Sequence, residues 1–412
     1  MNRVVLILIL LTFALYDLKS RSIQVGSQYP FKTIKSALES AVNGDTIWVY
    51  PGHYKESPVI VDKKVVMIGI DRPVLDGENL YEVVSIKADS VSFKGFKVQN
   101  SGFSSMNDLG GIKVYDRKHI VILDNVLENN FFAIYLQYSK HCLVKDNIIT
   151  SNAYDEQNSG NGIHCWKSDS LQIIANRIEG HRDGIYFEFV KESVVWRNIS
   201  RNNVRYGLHF MFSHNDAYFS NVFENNGAGI AVMYTKHVFM ANNSFLNNTG
   251  DACYGLLLKD ISDSHIIGNR FIGNTIAMML EGANRNMITR NMISENGWGM
   301  KVQANCEDNH IFGNNFIHNT FDVATNGTLV LSYFKENYWD KYEGYDLDKD
   351  GLGDIPYHPL SIYSYVIEQN PISMLLFRSF MVTLMDKTER LIPSVTPEAF
   401  VDLTPVIKPY KL

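Results

Sequence analysis

Few cysteines, no surplus of positive charge and no long apolar run together exclude several kinds of protein. The four cysteines, Cys142, Cys165, Cys253 and Cys306, stand too far apart for a zinc-finger pattern, and no disulfide framework follows from them. A formal net charge of −6 argues against nucleic acid as a partner, because neutralising phosphates takes a concentrated basic surface. Residues 4–11, extended by 13–15 behind Arg3, form the N-terminal apolar run, which falls short of the roughly 20 residues a membrane helix needs. Its charge-then-apolar order predicts a secretory signal peptide over residues 1–20, with Ser20 as the cleavage candidate. Long faces of helical period are also scarce, so repeats built from helices are set aside.

Asparagine, by contrast, recurs at a fixed beat. Asn125, Asn147, Asn176, Asn198, Asn221, Asn243, Asn269, Asn291 and Asn314 are each followed two residues later by an apolar residue, except at Ser200. A second amide follows each of them by five residues, from Asn130 and Asn152 through Asn203 to Asn319, with His181 in the odd slot. Successive lead asparagines are 22, 29, 22, 23, 22, 26, 22 and 23 residues apart. A period of this size, filled with short β-branched runs between Asn, Gly and Asp, predicts an all-β, right-handed parallel β-helix solenoid. Coils about 4.8 Å apart let each asparagine hydrogen-bond to its copies above and below. The two long intervals place extra residues at 153–161 and 250–254, which should form loops and help build a binding face.

After the second amide each coil opens a strand whose alternation sorts the side chains. Inward go pairs such as Ile163/Cys165, Ile185/Phe187 and Leu208/Phe210. Outward go Tyr135/Gln137, His164/Trp166, Tyr186/Glu188, His209/Met211, Ala231/Met233, Leu257/Lys259 and Met279/Glu281. An outward band of His, Trp, Tyr and Met calls for something to cover it. Imidazole with thioether is also a ligand set that suits copper. His209, Met211 and Met233 are therefore candidate copper ligands, with His164 two coils away. Trp166, Tyr186, Glu188 and Met279 are the expected partner contacts on this band, and protein docking explains the band as well as metal does. Arg182, Asp183 and Glu188 leave open a carbohydrate-active reading, as a polysaccharide lyase or epimerase, although the outward carboxylates are not gathered.

The ends are expected to be capped. Residues 33–41 carry Ile34, Ala37, Leu38 and Ala41 at helical spacing, predicting an amphipathic helix over the first coil within a cap spanning 21–58, ahead of coils over 59–340. In the 341–370 segment, Asp346, Asp348, Asp350 and Asp354 around Gly351 match the first half of a calcium loop; Tyr357 stands where the closing glutamate would be. Residues 372–385 predict one apolar helix, with Ile372, Leu376 and Phe380 as docking residues, followed by an extended proline-rich tail to 412 that has no evident core to join.

Longer strings add a resemblance. Residues 30–34 (PFKTI) with 44–47 (GDTI), 180–189 (GHRDGIYFEF), 205–216 (RYGLHFMFSHND), 227–234 (GAGIAVMY), 254–264 (YGLLLKDISDS) and 337–357 (NYWDKYEGYDLDKDGLGDIPY) resemble the NosD family of exported accessory proteins for nitrous oxide reductase maturation. The resemblance runs from Phe31 to about Pro405. It implies a periplasmic, copper-associated and non-enzymatic role beside an ABC transporter, made of an ATPase and a permease. It further implies a copper chaperone and the apo nitrous oxide reductase as partners in building the reductase's copper–sulfide centre.

Overall fold

A computed structural model describes residues 20–412, apart from 105–106, 158, 252, 328–330 and 392–399. The signal-peptide expectation therefore lies almost wholly outside the described residues. The chain winds into a parallel β-helix whose strands collect in three sheets of 14, 12 and 13 strands, each ordered along the rod. Every named strand pairing is parallel, as in Tyr186↔His209 and His209↔Ala231. The inward side chains of the 12-stranded sheet are all fully buried, from Ile134 and Leu136 to Met300 and Val302. Phenylalanines stack inside along the axis, as Phe223, Phe245 and Phe271 do at 5.6 and 4.5 Å.

The lead asparagines form the continuous ladder their spacing predicts. Asn125 donates to Asn147 Oδ1 through both its backbone N–H and its side-chain amide, each at 3.0 Å. The same double bond repeats down to Asn314, which donates to Asn337. The residue before each lead asparagine takes a left-handed backbone, as at Asp124 (φ 51°), Asp146 (54°) and Asn242 (56°), which turns the chain and aims the amide inward. Asn152, assigned to the second ladder, is instead exposed. The insertion that begins beside it carries the chain away from the axis, and Asn161 is the buried amide nearer the next strand.

At the N-terminal end the helix α1 (Ile34–Ser40) closes the rod with Ile34, Ala37 and Leu38 buried. Thr33 accepts from Ser36 N–H, and Glu56 accepts from the free N–H groups of Ile34 and Lys35 at 2.9 Å each.

The C-terminal end departs from expectation twice. Residues 372–385 are not one helix. They contain a 3-10 turn (Pro371–Leu376) and the start of helix α3 (Phe380–Leu391), broken where Arg378 takes φ 62°. A further helix, α2 (Ile362–Gln369), precedes Pro371; it is capped by Ser361, which accepts from Ser364 N–H, and proline prevents its continuation. The second departure is the tail, because residues 400–410 do find a core. Phe400 is buried against Phe334, with ring centroids 5.1 Å apart, and Tyr410 exchanges two hydrogen bonds with Asn315. The buried Asp402 accepts from the backbone N–H of Glu336 and Asn337, the Asn337 amide and the Trp339 indole at 2.9 to 3.1 Å. A carboxylate thus ends the asparagine ladder as its last acceptor. Proline density concealed this, because a bridge partner and four donors cannot be read from composition.

Candidate functional site

The outward residues of the 12-stranded sheet form two columns in register. One runs Tyr135, His164, Tyr186, His209, Ala231, Leu257, Met279; the other runs Gln137, Trp166, Glu188, Met211, Met233, Lys259, Glu281. They differ in cover. The first is largely roofed over: Tyr135 is 3%, His209 6%, Ala231 0% and Leu257 7% exposed. The second column is half-buried, and its side chains reach solvent. The first column is therefore shut off from solvent at Tyr135, His209, Ala231 and Leu257 and half-buried at His164, Tyr186 and Met279. Two residues of the insertion border the first column: Asn161 Nδ2 lies 2.9 Å from His164 Nδ1, and Glu156 stands 4.0 Å from Arg205.

His209 is the unusual residue of this column. It lies between the rings of Tyr186, 5.1 Å away, and Tyr206, 4.8 Å away, and neither of its ring nitrogens has a hydrogen-bond partner. Leaving two polar atoms buried and unpaired is costly, so the position signals a use other than stability. Asp183 comes within 4.0 Å, but its two oxygens are committed to Arg205 at 2.9 and 2.6 Å. Burial lowers the His209 pKa to about 4 despite the Asp183 charge, so the imidazole is neutral at neutral pH and has a lone pair to give. Met211 lies two residues along the same strand face, and Met233 is its registered neighbour on the next coil. Ala231, directly opposite His209, takes up little space beside the ring. One unpaired imidazole and two thioethers, all without charge, suit a soft monovalent ion such as Cu(I), and the three sit within one strand repeat of one another.

His164 does not join this group. Its Nδ1 is taken by Asn161, and the Tyr186 ring, 4.8 Å from the ring of His164, stands between it and His209. The other expected residues separate similarly. Trp166 is half-buried under the Lys167 ammonium at 4.6 Å, and Tyr186 donates to Glu188 at 3.2 Å. Met279 packs against the cluster that Trp298, Phe321, Tyr363 and Val382 form under the C-terminal helices, so its neighbour is the chain's own cap. Ile372, Leu376 and Phe380 are 73%, 52% and 82% exposed, and with Leu375 at 86% and Met381 at 59% they make an open apolar patch. Asp346, Asp348 and Asp350 bring carboxylate oxygens within 4.8 Å of one another, the one such group of His, Cys, Asp or Glu among the described residues. Asp354 instead turns one oxygen to Leu347 N–H at 2.7 Å.

Two features of the site escaped the sequence reading. Asp183 pairs chiefly with Arg205 on the next coil, while Arg182 stands 3.7 Å off and donates to Asn161. His181 is 1% exposed with Nε2 unpartnered, its pKa lowered by burial to about 4. Its place in an amide ladder was the available signal. Cys165 points inward as expected, and all four cysteines are free and buried.

Solved structures with this fold include the A-module of the mannuronan C-5 epimerase AlgE6 from Azotobacter vinelandii, with a TM-score of 0.56 at 13% identity, covering 74% of this chain and 93% of that one. The Streptococcus pneumoniae surface adhesin PfbA gives 0.54 at 12%, over 79% and 94%. At such identities the likeness extends to the fold alone. In sequence, the chain is 28% identical over 368 residues to the "Probable ABC transporter binding protein NosD" of Pseudomonas aeruginosa, covering 82% of this chain and 85% of that protein. A protein of the same description from Stutzerimonas stutzeri is 27% identical over 307 residues, covering 70% and 69%. The family model described as "Periplasmic copper-binding protein (NosD)" matches residues 38–156 and 148–344, and the chain belongs to that family.

Proposed function

We propose that this protein is an exported, non-enzymatic scaffold for assembling the copper–sulfide centre of nitrous oxide reductase. In this reading it works with an ABC transporter of ATPase and permease, a copper chaperone and the apo-reductase, and copper is its cargo. The observation that carries the reading is the neutral, unpaired imidazole of His209 on the same outward strand face as Met211 and its registered neighbour Met233. His209 would supply one nitrogen and the methionines their sulfurs, while the Tyr186 and Tyr206 rings hold water away from the imidazole. The apolar patch from Ile372 to Met381 supports docking to the permease, since exposed aliphatic and aromatic side chains of this density are normally covered.

The lyase or epimerase reading gains no support from the site. Asp183 is fully buried and neutralised by Arg205, and Glu188 stands without a second carboxylate beside it. The test replaces His209, Met211 and Met233 together by His209→Ala, Met211→Leu and Met233→Leu and measures the copper content of reductase matured beside the variant. Assembly is expected to fall at least tenfold with the fold intact. A fully loaded reductase would refute the reading.

A further inference from the structure

Just past the strand bearing His209, eight successive coils place one residue each in a left-handed backbone: Asp116, Tyr138, Lys167, Phe189, Phe212, Tyr234, Asp260 and Gly282, with φ between 48° and 62°. Aspartate and glycine, at the ends of this row, tolerate that conformation; bulky aromatic residues are disfavoured in it. Yet Tyr138, Phe189, Phe212 and Tyr234 hold it in the middle, and they are 42%, 45%, 36% and 41% exposed. Their rings line up. Phe189 stacks on Phe212 at 5.2 Å and 9°, and Phe212 on Tyr234 at 5.0 Å and 13°. The Lys167 ammonium fills the gap, 5.7 Å from the Tyr138 ring and 5.9 Å from that of Phe189. The result is an aromatic ridge five coils long that the fold does not require, since neighbouring coils turn the same corner with Asp or Gly.

The ridge has two unlike borders. On one side lies the column containing Trp166, Glu188, Met211 and Met233. On the other, Lys118, Lys140, Asp169, Lys191 and His214 stand in register, with Lys236 beside His214 on the next coil. The four lysines are exposed and outnumber the acids beside them, which are Asp169, paired with Lys140 at 3.1 Å, Asp89, which accepts from Lys118 N–H at 3.0 Å, and Glu192. A basic row along one edge of a chain whose net charge is −6 is a local asymmetry that selects an acidic partner.

We propose that this ridge is a docking edge for a protein face that carries carboxylates along an apolar seam, set so that the docked partner overhangs Met211 and Met233. The rings stack on one another at 5.2 and 5.0 Å as a continuous apolar seam beside the lysine row, the complement of a carboxylate-bearing protein face with an apolar seam of its own. The proposal rests on the copper-handling reading for what the partner carries. It goes beyond that reading in naming the surface and its charge.

The test places p-benzoylphenylalanine at position 212 of the full-length protein, with position 239 as control, where Phe239 is 43% exposed in the 14-stranded sheet. Each version is irradiated with purified apo-reductase, with the copper chaperone, and with phosphatidylglycerol vesicles. Expected is a cross-link from position 212 alone to an Asp/Glu-rich segment of one of the two proteins, cut at least tenfold by combined K140E, K191E and K236E. A companion variant, F189N/F212N/Y234N, should lose partner binding without a lower Tm, because asparagine accepts the left-handed backbone. Equal cross-linking at both positions, indifference to the lysine reversals, or vesicle binding in place of protein binding would overturn the ridge. Charge-dependent docking together with normal copper loading by the His209, Met211 and Met233 variant would keep the ridge and sink the copper reading.

Discussion

His181 offers the sharpest physical test, because an imidazole has taken a place built for an amide. Its backbone N–H donates to Asn203 Oδ1 at 3.0 Å, as those of Asn203, Asn226, Asn248, Asn274 and Asn296 donate to the next amide, but its Nε2 is buried with no partner. Burial lowers its pKa from 6.5 to about 4. Between those two values the unfolded chain binds a proton at this residue and the folded chain does not, so the stability contribution is whole above pH 6.5 and declines as pH falls. Over the full window of 2.5 units the loss is about 3 kcal/mol, with a slope of about 1.4 kcal/mol per pH unit. His181→Asn removes the titrating group and restores a ladder amide, leaving a small void worth about 1 kcal/mol. The variant should match its parent within about 1 kcal/mol at pH 7.5 and exceed it by about 2 kcal/mol at pH 4.5. A solenoid need not unfold in one step, so the readout is amide hydrogen exchange in the strand Asp183–Glu188 of both proteins across that pH range. His209 and His164 also resist protonation, but they are common to both proteins and cancel in the difference. Parallel pH curves would show that the His181 ring is not desolvated as the structure has it.

Two more outcomes are expected. Asp402→Asn puts an amide nitrogen where donors converge, and should cost about 2 kcal/mol locally, raising hydrogen exchange in Leu331–Lys335 and Tyr338–Trp339 while the middle coils stay protected; unchanged exchange there would refute its role as the ladder's end. Calcium should bind the Asp346, Asp348 and Asp350 group and protect the tail segment it clasps, where Gly353 N–H donates to the Pro405 carbonyl at 2.7 Å and Ile407 N–H to that of Gly351 at 3.1 Å; titration calorimetry showing no heat, or heat unchanged by Asp348→Asn, would remove the ion from the account.

What the sequence disclosed and what it withheld divide along one line. The ladder from Asn125 to Asn314 and the burial of Phe187, Phe210 and their inward neighbours depend only on period and alternation, which repeat and so accumulate signal. The failures fall where the chain stops repeating. Asn152 kept the spacing yet left the ladder, because the insertion begins there. His209 kept its outward register yet became buried, because the Tyr186 and Tyr206 rings close on it at 5.1 and 4.8 Å, a side-chain fit that period alone does not specify. Asp402 met Asn337 across 65 residues with no periodic cue at all.

That division bears on where function can lie in such a rod. A repeating wall must spend most of its side chains on being the same in every coil, since each position is constrained by the copies above and below it. Departures are freest where a loop, a corner or an end relaxes that constraint. His181, the ring-bearing corner from Tyr138 to Tyr234 and the open patch from Ile372 to Met381 occur at such places, while His209 departs from the repeat on the strand face itself, and each carries a physical cost: an unpaired nitrogen, a disfavoured backbone or an exposed apolar side chain. An unpaired imidazole on the 12-stranded sheet, a row of stacked rings at its adjoining corner and an open apolar patch at one end are departures that a surface shaped by what binds to it explains, and that is the ground on which the copper-handling scaffold is proposed.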